Sequence, residues 1–398
     1  MKLLFRCAVA LSCLWPAVAL AQEAPPVPNT VTEPQGFVPE PDIITRATLY
    51  ADRHLGKGDL TNGIYVDWGN MVPGAGWASV GPGYRRWYGK DAALFETSAG
   101  ISVNNYRMAQ ARFELPKFLK SRLALGTQVR WQDFREVDFF GVGPDTSDEV
   151  SGTYRVDSTQ LSAYATLRPV RWMGIGAQIG WANPEAVGLT GLLSGLTEKR
   201  TFVPTEVSLT IDTRDFPSHP TSGVVLRGVA AKFDDRTNGL NTFKRYEAEA
   251  AGFLPLAGSR VVLGLHGWMV RSDIEPGRSV PYYMQPSLGG VNTLRSYADY
   301  RFHDDNMLLT TAEVRIALMT HVDLAVFADA GNVAADAGDL DLAKRSYGAG
   351  VRFHTRRDSF ATMDVAHGDE GWRLIFRLKD PLMFGRITRK TTIVPFVP

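Results

Sequence analysis

Apolar and polar residues alternate with a period of two along most of this chain from residue 62 onward. In 308–318, Leu308, Ala312, Val314, Ile316 and Leu318 share one parity, while Glu313 and Arg315 share the other. In 243–253, Tyr246, Ala248 and Ala250 alternate with Arg245, Glu247 and Glu249. In 372–378, Trp372, Leu374, Phe376 and Leu378 alternate with Arg373, Ile375 and Arg377. A period of two sends successive side chains to opposite faces of a strand. The pattern predicts about sixteen strands, over 62–70, 76–88, 92–106, 107–118, 121–137, 152–168, 171–182, 202–213, 222–234, 243–256, 259–272, 305–318, 321–330, 344–356, 358–368 and 371–379.

A soluble sandwich or small barrel also alternates, burying its apolar face and wetting the other. Three features point to a membrane instead. Many of the strands run to about 10–14 residues, enough to cross lipid at a tilt. The non-apolar face mixes charges with Gly, Ser, Thr and Gln, as a polar lumen does. Trp77, Trp87, Tyr88, Trp131, Trp172, Trp181, Trp268 and Trp372 sit near strand ends, where interfacial girdles lie. The expected fold class is therefore all-β, a transmembrane antiparallel β-barrel of about sixteen strands. An even count returns both ends to the same side of the membrane.

The first residues read as export machinery. Lys2 and Arg6 precede the apolar run Cys7–Leu20, and Ala19-Leu20-Ala21 supplies small residues at a cleavage point. This predicts a signal peptide over 1–21. Cys7 and Cys13, the two cysteines of the chain, both fall inside it, so no disulfide is expected in the exported protein. The segment 22–61 opens with Pro25, Pro26, Pro28, Pro34, Pro39 and Pro41 and reads as an extended periplasmic linker. The barrel is expected over 62–384 and a C-terminal tail over 385–398, whose prolines argue against another central strand. With 43 basic and 42 acidic residues the chain is near neutrality, which gives no footprint for nucleic acid.

One connection stands apart. Residues 275–303 form a loop of about 30 residues, a length that usually carries function. It contains Leu288-Gly289-Gly290 and Leu294-Arg295-Ser296-Tyr297. Upstream, Asp212-Thr213-Arg214-Asp215 is followed by Pro217, Pro220 and Gly223; downstream come Glu313 with Arg315, then Val326-Phe327-Ala328-Asp329-Ala330-Gly331-Asn332-Val333. In order and spacing these stretches resemble the BamA/TamA-type outer-membrane barrels, the bacterial surface antigen family, over about 202–379. The resemblance implies a long loop folded into the lumen, with Arg295 at its tip pairing with Glu313 and Asp329. Alternation independently sets Glu313 opposite the apolar face of its strand. Asp329 shares a face with Asp323, opposite Val322, Leu324 and Val326. The loop motif is Gly289, Gly290, Leu294, Ser296 and Tyr297; the strand-turn motif is Asp212, Arg214, Asp215 and Gly223. Ser296 stands where the family carries glycine, and the proline-rich linker stands where assembly members carry folded periplasmic POTRA domains.

Other residues offer weaker chemistry. His266 and His354 fall on lumen faces, but no serine is arranged to form a nucleophilic pair with either. His303-Asp304-Asp305 has oxygen ligands for a cation but reads as a solvated loop. Gly141-Val142-Gly143 lacks the following helix a phosphate loop needs. No catalytic residue, metal site or cofactor is therefore expected. The resemblance implies a non-enzymatic outer-membrane protein acting in protein assembly, translocation or lipid handling. Its partners would be outer-membrane lipids and unfolded barrel or secreted client proteins. The last strand, shortened by Gly and Pro around 379–385, would then form a weak seam open to a client strand. A passive solute channel is the alternative reading of a polar lumen, and an outer-membrane hydrolase a third.

Overall fold

The computed structural model describes residues 36–55, 62–69, 79–149, 151–355 and 359–377. The expected signal peptide, the proline-rich start of the linker, the end of the last strand and the tail lie outside the described residues. The strands are β1 (Gly63–Gly69), β2 (Ser79–Tyr88), β3 (Ala93–Ser102), β4 (Arg107–Lys117), β5 (Leu123–Phe139), β6 (Gly152–Leu167), β7 (Met173–Ala182), β8 (Glu185–Thr190), β9 (Thr197–Lys199), β10 (Phe202–Asp212), β11 (Gly223–Asp235), β12 (Phe243–Pro255), β13 (Val261–Ile274), β14 (Ser287–Leu288), β15 (Phe302–His303), β16 (Asn306–Ala317), β17 (Val322–Ala334), β18 (Lys344–His354), β19 (Ser359–Gly368) and β20 (Gly371–Arg377).

The main sheet has eighteen strands, not sixteen, and β14 pairs with β15 in a separate ribbon. The difference is one short hairpin. β5 and β6 reach 17 and 16 residues and outrun their neighbours, and β8 pairs with the free upper part of β6, carrying β9 beside it. Apart from that hairpin each strand pairs antiparallel with the next, from β1 to β7, then β10 to β13 and β16 to β20. Among the described residues β1 pairs with β2 and β20 with β19, and no ladder joins β1 to β20.

The two faces sort opposite to those of a soluble sheet. On β6, Leu161 and Leu167 are exposed while Ser158, Gln160 and Ser162 are buried; on β7, Ile175, Ile179 and Trp181 are exposed and Gln178 buried. On β20, Trp372, Leu374 and Phe376 are exposed and Arg377 buried. An outer row of bare apolar side chains over an inner polar row is unfavourable in water and favourable with hydrocarbon outside. No helix among the described residues is long and apolar enough to cross a membrane.

Two local features escape the alternation. A bulge between Phe134 and Val137 on β5, with Glu136 at φ 53°, changes the parity of the strand. Phe134 is buried before it and Val137 and Phe139 after it. Tyr164 on β6 lies over Gly126 on β5, where an added Cβ would stand 2.4 Å from the ring. The tyrosine hydroxyl donates to Glu114 at 2.7 Å.

The segment read as linker is partly structured. Phe37 and Val38 donate backbone N–H groups to Ala317 and Leu318, and Glu40 accepts from the backbone and Nδ1 of His321, each at 2.7 Å. Helix α1 (Asp42–Leu55) follows. Prolines 39 and 41 lead into it, and after Pro41 the segment has none, so it is free to be helical.

Two outcomes are expected. Gly126→Val displaces Tyr164 and takes its hydroxyl from Glu114, lowering stability by roughly 1–3 kcal/mol in denaturant titration. Burial opposes ionisation of Glu40, but bonds from Thr45 and His321 outweigh it and hold the carboxyl below its ordinary 4.5. A depressed carboxylate stabilises above its unfolded pKa and is lost as pH falls through its folded one. Proteolysis of 36–55 should therefore accelerate below about pH 4.5 in the native chain, while Glu40→Gln should show weaker attachment at neutral pH and little further change with acid.

Candidate functional site

The loop 275–303 lies against the polar face of the sheet and fills two apolar seats. Tyr283, Met284 and Tyr300 join Phe134, Phe139, Tyr154, Phe202, Phe233 and Phe243 in one cluster. Leu288, Leu294, Tyr297 and Phe302 join Trp268, Val270, Met307, Leu309 and Val333 in another. The first draws on β5, β6 and β10–β12, the second on β13, β16 and β17, so the sheet curls around the loop. His303 and Asp304, expected in a solvated loop, are instead buried, because the ribbon β14–β15 folds onto the sheet.

The tip is shaped by its glycines. Gly289 and Gly290 hold φ of 114° and 90°, and a Cβ on either would collide with Ala298 O or the Asp299 carboxylate. Thr293 closes the turn, its hydroxyl accepting from Gly289 N–H and donating to Gly289 O, both at 2.9 Å. This presents Leu294 to the apolar cluster and Arg295 to the wall. Ser296 does not adopt a left-handed backbone, which explains why a non-glycine residue is tolerated there. Its N–H donates to Ser346 at 3.0 Å, and it faces Gly368, where a Cβ would come within 2.2 Å of the serine oxygen. Tyr297 donates its hydroxyl to Asp369 at 2.9 Å.

Arg295 is 2% exposed. Its Nε and Nη2 grip both oxygens of Asp329 at 2.8 Å, Nη1 reaches Glu313 at 3.2 Å and Asp364 at 3.5 Å, and its guanidinium stacks 3.3 Å from the Phe327 ring centroid. Arg352 bridges the same acids, donating to Glu313 at 2.7 Å and to Asp364. Arg377 donates to Asp364 at 2.8 Å and to the Val291 carbonyl. Three arginines thus face three carboxylates in a buried, charge-balanced cluster spanning β16 to β20. The cluster holds Arg295, Glu313 and Asp329 together with Arg352, Asp364 and Arg377, three residues that the sequence reading does not single out. Their signal was the same period-two parity, on the inner sides of β18, β19 and β20. Arg301 adds a second clamp, donating to Glu370 at 2.5 Å and to Thr146.

The strand-turn motif closes on itself. Arg214 forks onto Asp212 at 2.9 and 2.7 Å, and Asp215 accepts from Phe216, Thr221 and Ser222. Gly223, at φ 99°, packs against Thr213 O. The turn so formed sends His219 and Pro220 inward to a second polar group, which draws Arg315 and His354 from the strand positions next in parity to Glu313 and Arg352. Arg315 donates to His219 Nδ1 at 3.1 Å and to Pro220 O, while Asp323 meets His219 Nε2 at 3.3 Å and His354 Nε2 at 3.1 Å.

His219, Asp323 and His354 have the donor atoms of a metal site, all within 4.8 Å of one another. The geometry does not suit one. The two rings stack at 3.7 Å and 12° instead of converging on a point. Because Arg315 donates to Nδ1, the His219 proton sits on Nε2, facing Asp323. Burial first, then His354 and Arg315, holds His219 down at about 3, so it stays neutral. The group is a hydrogen-bonded brace. His266 pairs with Glu249 at 3.2 Å. Toward the 168–172 turn, small residues Ala124, Gly174 and Gly176 leave a cavity of about 320 Å³ beside Tyr164, Gln178 and Glu206.

An all-β antiparallel sheet with bare apolar side chains on one face and a long loop packed on its polar face is the pattern of the outer-membrane barrel class of fold. Residues 90–356 match the Omp85 superfamily domain, and the chain belongs to that superfamily. Its fold is similar to BamA from Haemophilus ducreyi lacking POTRA domains 1–3, with TM-score 0.63 and 13% identity, covering 80% of this chain and 69% of that one. It is also similar to CdiB from Acinetobacter baumannii (TM-score 0.52, 14% identity) and CdiB from Escherichia coli (0.55, 14%), covering 80% of this chain in each case. The chain spans 59% and 63% of the length of those two CdiB chains. No curated protein is matched by sequence.

Asp364→Asn leaves Arg352 and Arg377 short of a counter-charge; a loss of roughly 3–5 kcal/mol is expected, with faster cleavage within 288–300. Pairing it with Arg377→Gln should recover part of that loss in a double-mutant cycle, since the cluster is again balanced.

Proposed function

We propose that the chain closes as a sixteen-stranded barrel in the outer membrane, with loop 275–303 inside it, and that it handles polypeptide clients during assembly or translocation. Arg295, Glu313 and Asp329 act as the latch of that loop. The observation that carries this reading is the buried six-group cluster. A passive pore gains nothing from a loop that costs so much desolvation to seat, whereas a gated path for a client needs an element with two discrete arrangements. Membership of the Omp85 superfamily supports the same class of work, and no enzymatic role is assigned.

The passive channel has one feature in its favour, the row of Gln110, Gln128, Gln160 and Gln178 across β4–β7. Planar-bilayer conductance separates the two. The native protein should pass a low, flickering current that rises several-fold in Arg295→Ala. A large, steady current identical in both proteins would remove the latch and leave the channel. In cells, deletion should lower outer-membrane protein levels or block export of a secreted client; unchanged levels of both would overturn the assembly reading.

A further inference from the structure

One end of the sheet carries every second connection, among them 89–92, 118–122, 168–172, 213–222, 256–260 and 318–321, and their charges are unevenly shared. Turn 118–122, between β4 and β5, and turn 168–172, between β6 and β7, are neighbours. The Arg168 N–H donates to the Arg122 carbonyl at 2.6 Å. With Lys117 they carry Lys120, Arg122, Arg168 and Arg171, and no acid. Lys117 meets Asp91 at 3.5 Å; among the described residues no ion pair engages the other four. Elsewhere along this end acids accompany the bases or the charges are few: Arg214 is held by Asp212 next to Asp215, Arg260 is the one basic residue of turn 256–260, 318–321 has His321, which is bound to Glu40, and Arg356 and Arg357 are followed in sequence by Asp358.

Apolar side chains stand among these cations. Phe118, Leu119, Val170 and Trp172 are 48%, 61%, 42% and 46% exposed. They continue the exposed outer row of Phe113, Leu167 and Ile175 beyond the strand ends. The backbone of the first turn adds an independent sign. Leu119, Lys120 and Ser121 hold φ of 47°, 58° and 67°. The sister turn between β2 and β3 has nearly the same course, Gly89, Lys90 and Asp91 at 58°, 54° and 67°, but begins with glycine. A left-handed leucine costs stability that glycine would not. It is tolerated here with its side chain facing outward, where it buries little within the protein. Strain of this kind marks sites where the side chain serves something other than the fold.

We propose that turns 118–122 and 168–172 form a binding site for anionic phospholipid headgroups. Lys120, Arg122, Arg168 and Arg171 hold the phosphates, and Phe118, Leu119, Val170 and Trp172 enter the adjoining acyl layer. The site rests on the outer-membrane reading, with the short-turn end toward the inner leaflet. Charge complementarity selects an anionic lipid over a neutral one, and the continuous apolar row selects a bilayer over a soluble anion.

The test uses the full chain in nanodiscs of phosphatidylcholine with or without phosphatidylglycerol, reading retained lipid by native mass spectrometry and unfolding temperature by heating. The native protein should retain phosphatidylglycerol and unfold at a higher temperature when it is present. Arg168→Gln with Arg171→Gln should weaken retention by about fivefold per cation removed. Leu119→Gly should raise the unfolding temperature in pure phosphatidylcholine, by relieving the left-handed leucine, yet weaken phosphatidylglycerol retention. Equal retention by native and variant proteins would overturn the site, as would a Leu119→Gly protein that loses stability and keeps its lipid preference. Failure of the native chain to enter either disc as a protease-resistant barrel would instead overturn the outer-membrane reading itself.

Discussion

Three arginines and three carboxylates held out of water at one point on the inner face are the constraint on which the rest of the structure depends. Arg295 comes from a loop, while its partners come from β16, β17 and β19, and Arg352 and Arg377 from β18 and β20. Charges so buried survive when each is balanced and hydrogen-bonded. Five consecutive strands must therefore keep register to within a fraction of an ångström for the loop to seat at all. The aromatic clusters supply the attraction that draws the loop in, and the ion cluster specifies where it stops.

A second insertion is tied differently. The Asp212–Gly223 turn folds inward and is received by Arg315, Asp323 and His354 from the same strands that seat the loop. Strands β16–β18 thus form the common wall against which two separate insertions are braced. On β4–β7 the loop meets the wall through aromatic rings, Tyr282 against Phe139 and Tyr154, and the rest of that wall carries glutamines, serines and glycines beside a cavity.

Much of this was legible in the chain before folding. Alternation reported the strands, their inner and outer faces, and the inward direction of Glu313 and Asp329, because a strand's side chains can point only two ways. The glycine pair at 289 and 290 and the long loop around it reported an unusual backbone, because left-handed φ falls to glycine almost by default. Resemblance to a family joined Arg295 to its acids across 18 and 34 residues of sequence, a link that periodicity alone does not make.

What remained hidden depends on distances between elements. The bulge at Phe134–Val137 and the β8–β9 hairpin follow from how far β5 and β6 outrun their neighbours. The helix at 42–55 is anchored by Glu40 on His321, a partner 281 residues away. Asp364 and Arg377 looked like any inward polar residues until the curl of the sheet brought them to Arg295. The chain's own pattern determined which residues point inward and which outward; only the tertiary structure decided which inward charges meet. Facing is a local property of a pleated backbone, whereas meeting depends on register and curvature summed over many strands.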